Sequence, residues 1–312
     1  MVSLLNRYLG RFDIELTRRS ETWRPTSLLG VQPQPKSAPP APPPFLKVFG
    51  SEELISSHRT FDFAVVMATT LRPTIADSLS SVFQQTFSGR VQTLIGLDVA
   101  PEGGNEIESV CRQIPPNHAV LFFYPGYSTS CRHGGLHPAW DGGVLRTLLS
   151  YLANSRHIAY LDDDNWWDDS HLASLRLALE GNEWAYARRW FVHPKSRRPI
   201  CQDEWESIGP NKGTFADIGG WVDPNCLAID KLACEAVLRW WSIPLRNTPR
   251  AMDADRNVFR LLNTHFKGCP TNRPTVFYAM DETDPFHSAR LDVIGHGRYQ
   301  SCGIAANASR QL

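Results

Sequence analysis

The 312-residue sequence has no long apolar run. Nothing approaches the roughly 18 consecutive apolar residues of a membrane-spanning helix, and the first residues lack the pattern of a cleavable secretion signal. Charge excess is missing too: 32 basic residues balance 32 acidic ones. That balance argues against a broad electrostatic footprint for nucleic acid. The seven cysteines, Cys111, Cys131, Cys201, Cys226, Cys234, Cys269 and Cys302, are scattered and include no C-x-x-C pair. They read as reduced thiols of a cytoplasmic protein, not as a disulfide framework.

What is present points to a globular α/β protein with a large core, with 42% hydrophobic residues. One boundary stands out. QPQPKSAPPAPPP (32–44) is dominated by proline, favours extended polyproline conformations and acts as a semi-rigid spacer. It makes residues 32–45 a linker between an extension, 1–31, and a main domain, 46–312. The extension places Leu4, Leu5, Tyr8, Leu9 and Phe12 at helical spacing among Arg7, Arg11, Arg18 and Arg19. Two placements are open to such a basic amphipathic helix: peripheral contact of residues 1–20 with an anionic membrane, or packing on the main domain or another chain.

Within the main domain, strand and helix patterns alternate. FAVVMAT (63–69) is a continuous apolar run suited to a strand buried on both faces. Thr74 and Asp77 follow at capping-box spacing, and the ensuing helix carries Ile75, Leu79, Val82, Phe83 and Phe87 on one face. VQTLIGLD (91–98) and AVLFFYP (119–125) are further strands. Leu145, Leu148, Leu149 and Leu152 mark a helix leading into the strand HIAYLDDD (157–164). This rhythm predicts a mostly parallel sheet with helices on both faces, in which ligands bind beyond the carboxyl ends of the strands. Thr69, Asp98 and the aspartates from Asp162 all fall at such ends.

The run Asp162-Asp163-Asp164 directly ends an apolar strand and is followed by Trp166 and Trp167. Adjacent carboxylates repel, and a hard divalent cation such as Mg²⁺ or Mn²⁺, shared with phosphate oxygens, resolves the repulsion. A calcium-binding EF-hand loop does not fit: its glycine position is Trp167 and its glutamate position is Ala173.

Four segments together resemble the family 2 glycosyltransferases: VVMATTLRPTIADSLSSVFQQTF, LIGLD, WDGGVLRTLLSYLANSRHIAYLDDDNWW and AMDADRNVFRLL. They run in the family's order over residues 62–278. The resemblance implies a Rossmann-like GT-A fold, with the nucleotide-binding part at about 62–168 and the acceptor and catalytic part at about 169–285. It implies transfer of a hexose, with inversion, from a nucleotide diphosphate sugar (a UDP-sugar by default) to an acceptor hydroxyl on a glycan, lipid carrier or small molecule. Asp162 and Asp164 take the metal-binding D-x-D positions, with Mn²⁺ or Mg²⁺ as cofactor. Thr69, Arg72, Asp98, Arg146 and Asp163 take nucleotide-binding positions. The family usually has a Glu-Asp pair where this chain reads Met252-Asp253-Ala254-Asp255. Asp255, directly before a helical run, is the expected base, with Asp253 as its understudy.

Other features have a bland reading beside the sharp one. CRHGGLH (131–137) lacks zinc-finger spacing and reads as a glycine-rich loop near the site. GTFADIGGWVDPNCLAID (213–230) offers Asp217 and Trp221 as acceptor contacts, or is a turn followed by core. His287 and His296 are available as a late metal ligand. Two other classes, a nucleotidyltransferase and a catalytically silent nucleotide-sugar binder, share the carboxylates. The first requires a glycine-rich phosphate loop that ATTLRPT does not supply, and the second has no need of Asp255.

Overall fold

A computed structural model describes residues 42–99, 109–139, 141–243 and 254–304. The amphipathic extension, most of the linker and Asp253 lie outside the described residues. The strands and helices, in chain order, are β1 (Phe45–Gly50), α1 (Glu52–Ser56), β2 (Phe61–Thr69), α2 (Ile75–Phe83), β3 (Val91–Leu97), β4 (His118–Tyr124), α3 (Gly143–Leu152), β5 (Ser155–Tyr160) and β6 (Trp166–Trp167). There follow α4 (His171–Ala178), β7 (Trp184–Val192), β8 (Pro199–Gln202), β9 (Gly209–Pro210), β10 (Gly220–Trp221), β11 (Leu227–Asp230), α5 (Glu235–Leu238), α6 (Ala254–His265), β12 (Gly268–Ala279), α7 (His287–Ile294) and α8 (His296–Ile304).

The apolar runs form the middle of a ten-stranded sheet ordered β1-β4-β3-β2-β5-β11-β7-β12-β6, with β8 beside β7. Strands β4, β3, β2 and β5 pair in parallel. Strand β11 runs antiparallel between β5 and β7, and β12 lies parallel to β7. Six of the ten strands therefore share one direction, and the sheet is mostly parallel. Phe63 to Met67 of β2 are fully buried, so this sheet is covered on both faces. Helix α3 lies over β3, where Gly96 leaves the space that Leu145 and Leu149 fill. The other two leucines of its predicted stripe, Leu148 and Leu152, are exposed. No helix among the described residues is long and apolar enough to cross a membrane.

Two local expectations change, and one strand was not foreseen. β1 begins at Phe45, inside the stretch assigned to the linker, and pairs with β4 as an antiparallel edge. Thr74 adopts helical backbone angles, unlike a capping residue, and makes no side-chain cap, while Asp77 turns outward to Arg197. Strand β12 carries Pro270 and Pro274, which the ladder accommodates with register shifts on both sides of Pro274.

Candidate active site

The carboxyl ends of β2, β3 and β5 meet the start of α6 and the end of β12 around one cleft of about 950 Å³. Thr69, Arg72, Asp98, Arg146, Asp162, Asp163, Asp164, Trp221 and Asp255 all line it. Asp217 does not. It sits exposed on the 3₁₀ turn Gly213–Ile218, away from the cleft lining.

The acidic run alternates in direction. Asp163 is buried, with 1% of its side chain exposed, and accepts hydrogen bonds from the Thr69 hydroxyl and from Arg72 Nε (2.8 Å) and Nη2. It therefore fixes the β2 turn, with both its oxygens occupied. Asp162 and Asp164 face the cleft and keep about a quarter of their side chains open, 26% and 25%. Asp162 Oδ1 pairs with Arg146, while its Oδ2 accepts from Asn225 Nδ2 at 2.8 Å. Asp164 accepts from Arg72 Nη1 at 2.8 Å and from Asn165 Nδ2 at 2.9 Å. Two arginines and two amides thus answer much of the repulsion that the sequence raises. Part of it remains. Burial, followed by the charges of Asp162 and Asp163, pushes the Asp164 carboxyl up to about 7 against the pull of Arg72.

Asp98 follows β3, and its carboxylate is partly engaged by a neighbouring loop. Oδ1 accepts from the Thr129 backbone N–H (2.8 Å) and hydroxyl (2.7 Å), and Oδ2 from Ser128 (3.1 Å). It anchors the glycine-containing loop whose Arg132 and His133 form another part of the cleft wall. Among the described residues no group of three or more His, Cys, Asp or Glu could hold a metal by itself.

Two adjacent glycines bring α3 to the cleft. A side chain on Gly142, whose φ is 72°, would strike Ala68, and one on Gly143 would strike the Trp241 carbonyl. Arg146, one turn further on, is thereby held over the Trp241 ring at 5.6 Å, with its Nη1 on the Asp141 carbonyl at 2.7 Å. On the opposite wall, α6 starts at Ala254 and puts Asp255 in its first turn. Asn257 Nδ2 ties that turn to the Ile243 carbonyl at 2.6 Å.

Trp221 lines the cleft but is only 6% exposed. The guanidinium groups of Arg189 and Arg256 lie 5.4 and 4.9 Å from its ring, and Phe215 packs edge-on against it. It is therefore packed as a wall residue and offers little ring surface on which a sugar could stack. His287 and His296 are absent from the cleft lining. His287 packs against Tyr299, and His296, at the start of α8, is paired with Asp292 of α7.

The sequence reading missed the wall beneath Trp221. Arg189, fully buried in β7, binds Asp203, Glu206 and Asp223, and Arg290 joins Glu206 to Asp284. The available signal was an arginine inside the apolar run WAYARRWFV, because a buried guanidinium requires acids around it.

As a donor set, Asp162 and Asp164 suit a hard divalent ion whose shell is completed by diphosphate oxygens and water, but they do not form an all-protein metal cage. The charge of the cleft agrees. Ten carboxylate side chains line it against five arginines and no lysine, so an incoming diphosphate needs accompanying positive charge.

No protein-family model and no curated protein matches the sequence. Solved structures do resemble the fold. Residues 1–349 of S. aureus TarS superpose with a TM-score of 0.50 at 10% identity, over 80% of this chain and 73% of that one. The same TarS fragment in complex with UDP-GlcNAc gives 0.50 at 11% identity, over 72% and 60%. Against the longer TarS structure, 74% of this chain matches and spans 38% of the other. At such low identity the likeness establishes the architecture: a mixed α/β fold with a large, mostly parallel central sheet.

Proposed function

We propose that this chain is a metal-dependent glycosyltransferase that moves a sugar, with inversion, from a nucleotide diphosphate sugar to an acceptor hydroxyl. The observation that carries the proposal is the single cleft uniting Thr69, Arg72, Asp98, Arg146, the Asp162–Asp164 run and Asp255 at the carboxyl ends of parallel strands. The likeness of the fold to TarS, solved with UDP-GlcNAc and with UDP, supports a nucleotide-sugar donor. The four-segment resemblance to family 2 enzymes supports the assignment of roles, and a UDP-sugar is the donor of choice.

In this reading Asp162 and Asp164 hold Mn²⁺ or Mg²⁺, which when bound offsets the charge that builds on the departing diphosphate. Arg72 and Arg146 keep those carboxylates oriented and add positive charge at the same place. Asp163 holds Thr69 and Arg72 where the nucleotide lies, and Asp98 secures the loop at the nucleobase end. The bond from the sugar carbon to the diphosphate oxygen breaks as the acceptor oxygen attacks from the opposite face. The hydroxyl proton passes to Asp255. A base so placed contributes about 10² to 10⁴ in rate.

Two measurements test this. A thermal-shift panel of nucleotide diphosphate sugars, with and without Mn²⁺, is expected to show a metal-dependent rise for one donor. Asp255→Asn is then expected to keep that shift and lower kcat by about 10² to 10⁴. Unchanged turnover would remove the base assignment, and a flat panel would remove the donor site. A silent sugar-nucleotide binder differs in having no turnover for Asp255→Asn to abolish.

A further inference from the structure

Asn225 lies on the 3₁₀ turn Pro224–Cys226 that leads into β11, with its side chain fully buried. Its amide has an unusual set of neighbours. The Asp162 backbone N–H donates to Oδ1 at 2.6 Å. A backbone N–H can only donate, so this bond settles which end of the amide is oxygen. Nδ2 is left to face two carboxylates, donating to Asp162 Oδ2 at 2.8 Å and to Asp223 Oδ1 at 2.6 Å.

Asp223 is itself immobilised. Its Oδ1 also accepts the Asn225 backbone N–H at 2.8 Å, and its Oδ2 takes Arg189 Nη1 at 2.5 Å. Arg189 is held by Asp203 at 2.8 Å and by Glu206 at 2.7 Å. Asp203 in turn accepts three backbone N–H groups, from Trp205, Glu206 and Ser207, at 2.8 to 2.9 Å. A buried, multiply hydrogen-bonded scaffold thus ends in one amide hydrogen aimed at one oxygen of Asp162. The other oxygen faces Arg146. Between them the plane of this carboxylate is set while a quarter of the side chain stays open to the cleft.

We propose that Asn225 is the positioning residue for Asp162, setting its carboxylate for the divalent ion and transmitting to it the rigidity of the Arg189 cluster. The inference rests on the metal-dependent reading above. Asparagine suits this place chemically. Aspartate would retain the acceptor for the Asp162 N–H but set a third negative charge between two carboxylates, and alanine would leave both without a donor.

The test is the affinity for Mn²⁺ in the presence of saturating UDP, followed by the electron paramagnetic resonance signal of free Mn²⁺. Asn225→Ala and the isosteric Asn225→Asp are each expected to weaken Mn²⁺ binding about 10- to 100-fold. In an Asp162→Asn background the same changes are expected to have little further effect, because their route to the metal is already cut. A general packing defect would not show that dependence on Asp162. Wild-type affinity in the folded Asn225→Asp protein, or losses that simply add to those of Asp162→Asn, would overturn the inference alone. Failure of wild-type protein to bind Mn²⁺ with UDP would overturn the metal-dependent reading and the inference together.

Discussion

Two ionic assemblies flank the cleft, built from the same residue types and placed in different surroundings. Around Arg189 the partners are sealed, with at most 5% of any side chain exposed. Around Arg72 and Arg146 the cleft-facing carboxylates remain a quarter open, and Arg72 is 44% exposed. The contrast separates frame from site. In the sealed assembly the charges are satisfied almost entirely by one another, so the geometry is fixed. In the open one, water or a ligand can take a partner's place, and the charges are available for binding.

Removing Arg189 breaks the sealed side and has the largest expected effect. Arg189→Met leaves Asp203, Glu206 and Asp223 buried around a vacated charge. Breaking even one buried pair in this way costs about 3–5 kcal/mol, and three partners place this change at or above the upper end. Urea unfolding measures it. A loss of under about 1 kcal/mol would mean that the cluster is wetter and weaker than its burial implies.

Two buried histidines supply a related test in which the charge is excluded instead of paired. His171 is fully buried, stacked on Trp167 with Nδ1 on the Thr275 hydroxyl at 2.7 Å, and burial lowers its pKa to about 3. Burial lowers His118 to about 4. Both bind a proton more readily in the unfolded chain, whose imidazoles titrate near 6.5. Their contribution to stability is therefore complete above pH 6.5 and is lost as pH falls toward 4 for His118 and toward 3 for His171, on the order of 3 kcal/mol for His118 and about 5 kcal/mol for His171. The Asp164 carboxyl, raised to about 7, works in the opposite direction by binding its proton in the folded state first. Comparing His171→Asn with wild type isolates the imidazole: between pH 6.5 and 4 the variant should lose stability less steeply. Parallel pH profiles would mean that His171 is not held neutral.

On the open side, Arg72→Ala should cost less stability, about 1–2 kcal/mol. Water already reaches the guanidinium, but the buried Asp163 keeps only its bond from Thr69. The larger change should be in binding, with the donor-induced thermal shift reduced well beyond the loss of baseline stability. A variant with normal donor binding would make Arg72 part of the frame.

This division also explains what the sequence disclosed. The parallel strands were legible because burial on both faces writes them as continuous apolar runs, FAVVMAT being the plainest. From those strand ends the site followed, since Thr69, Asp98 and Asp162 come together wherever β2, β3 and β5 lie side by side. The strands on the far side of β11 were not read. Arg188 and Arg189 interrupt the apolar pattern of β7, and Pro270 and Pro274 punctuate β12 as though it were a loop. Asn225 was invisible for another reason. Its significance depends on Asp162, 63 positions away, and on Asp223, whose spacing from Asn225 marks no metal or catalytic motif.

The smallest expected effect lies at the exposed extreme of the comparison. Asp77 had a reading in the sequence as the partner of Thr74 in a helix cap, yet no cap bond forms, and its carboxylate reaches Arg197 on the surface. Both side chains are open, 53% for Asp77 and 40% for Arg197. Water solvates either charge almost as well as the pair does, and holding two long side chains in one geometry costs rotamer freedom. Favourable placement of an acid in the first turn of α2 adds only a few tenths of a kcal/mol. Asp77→Ala should thus shift unfolding by about 0.5 kcal/mol or less, with a smaller difference at high salt. A loss above about 1 kcal/mol would show the capping box to be populated in solution, and would move Asp77 from the open class of ion pairs into the structural frame.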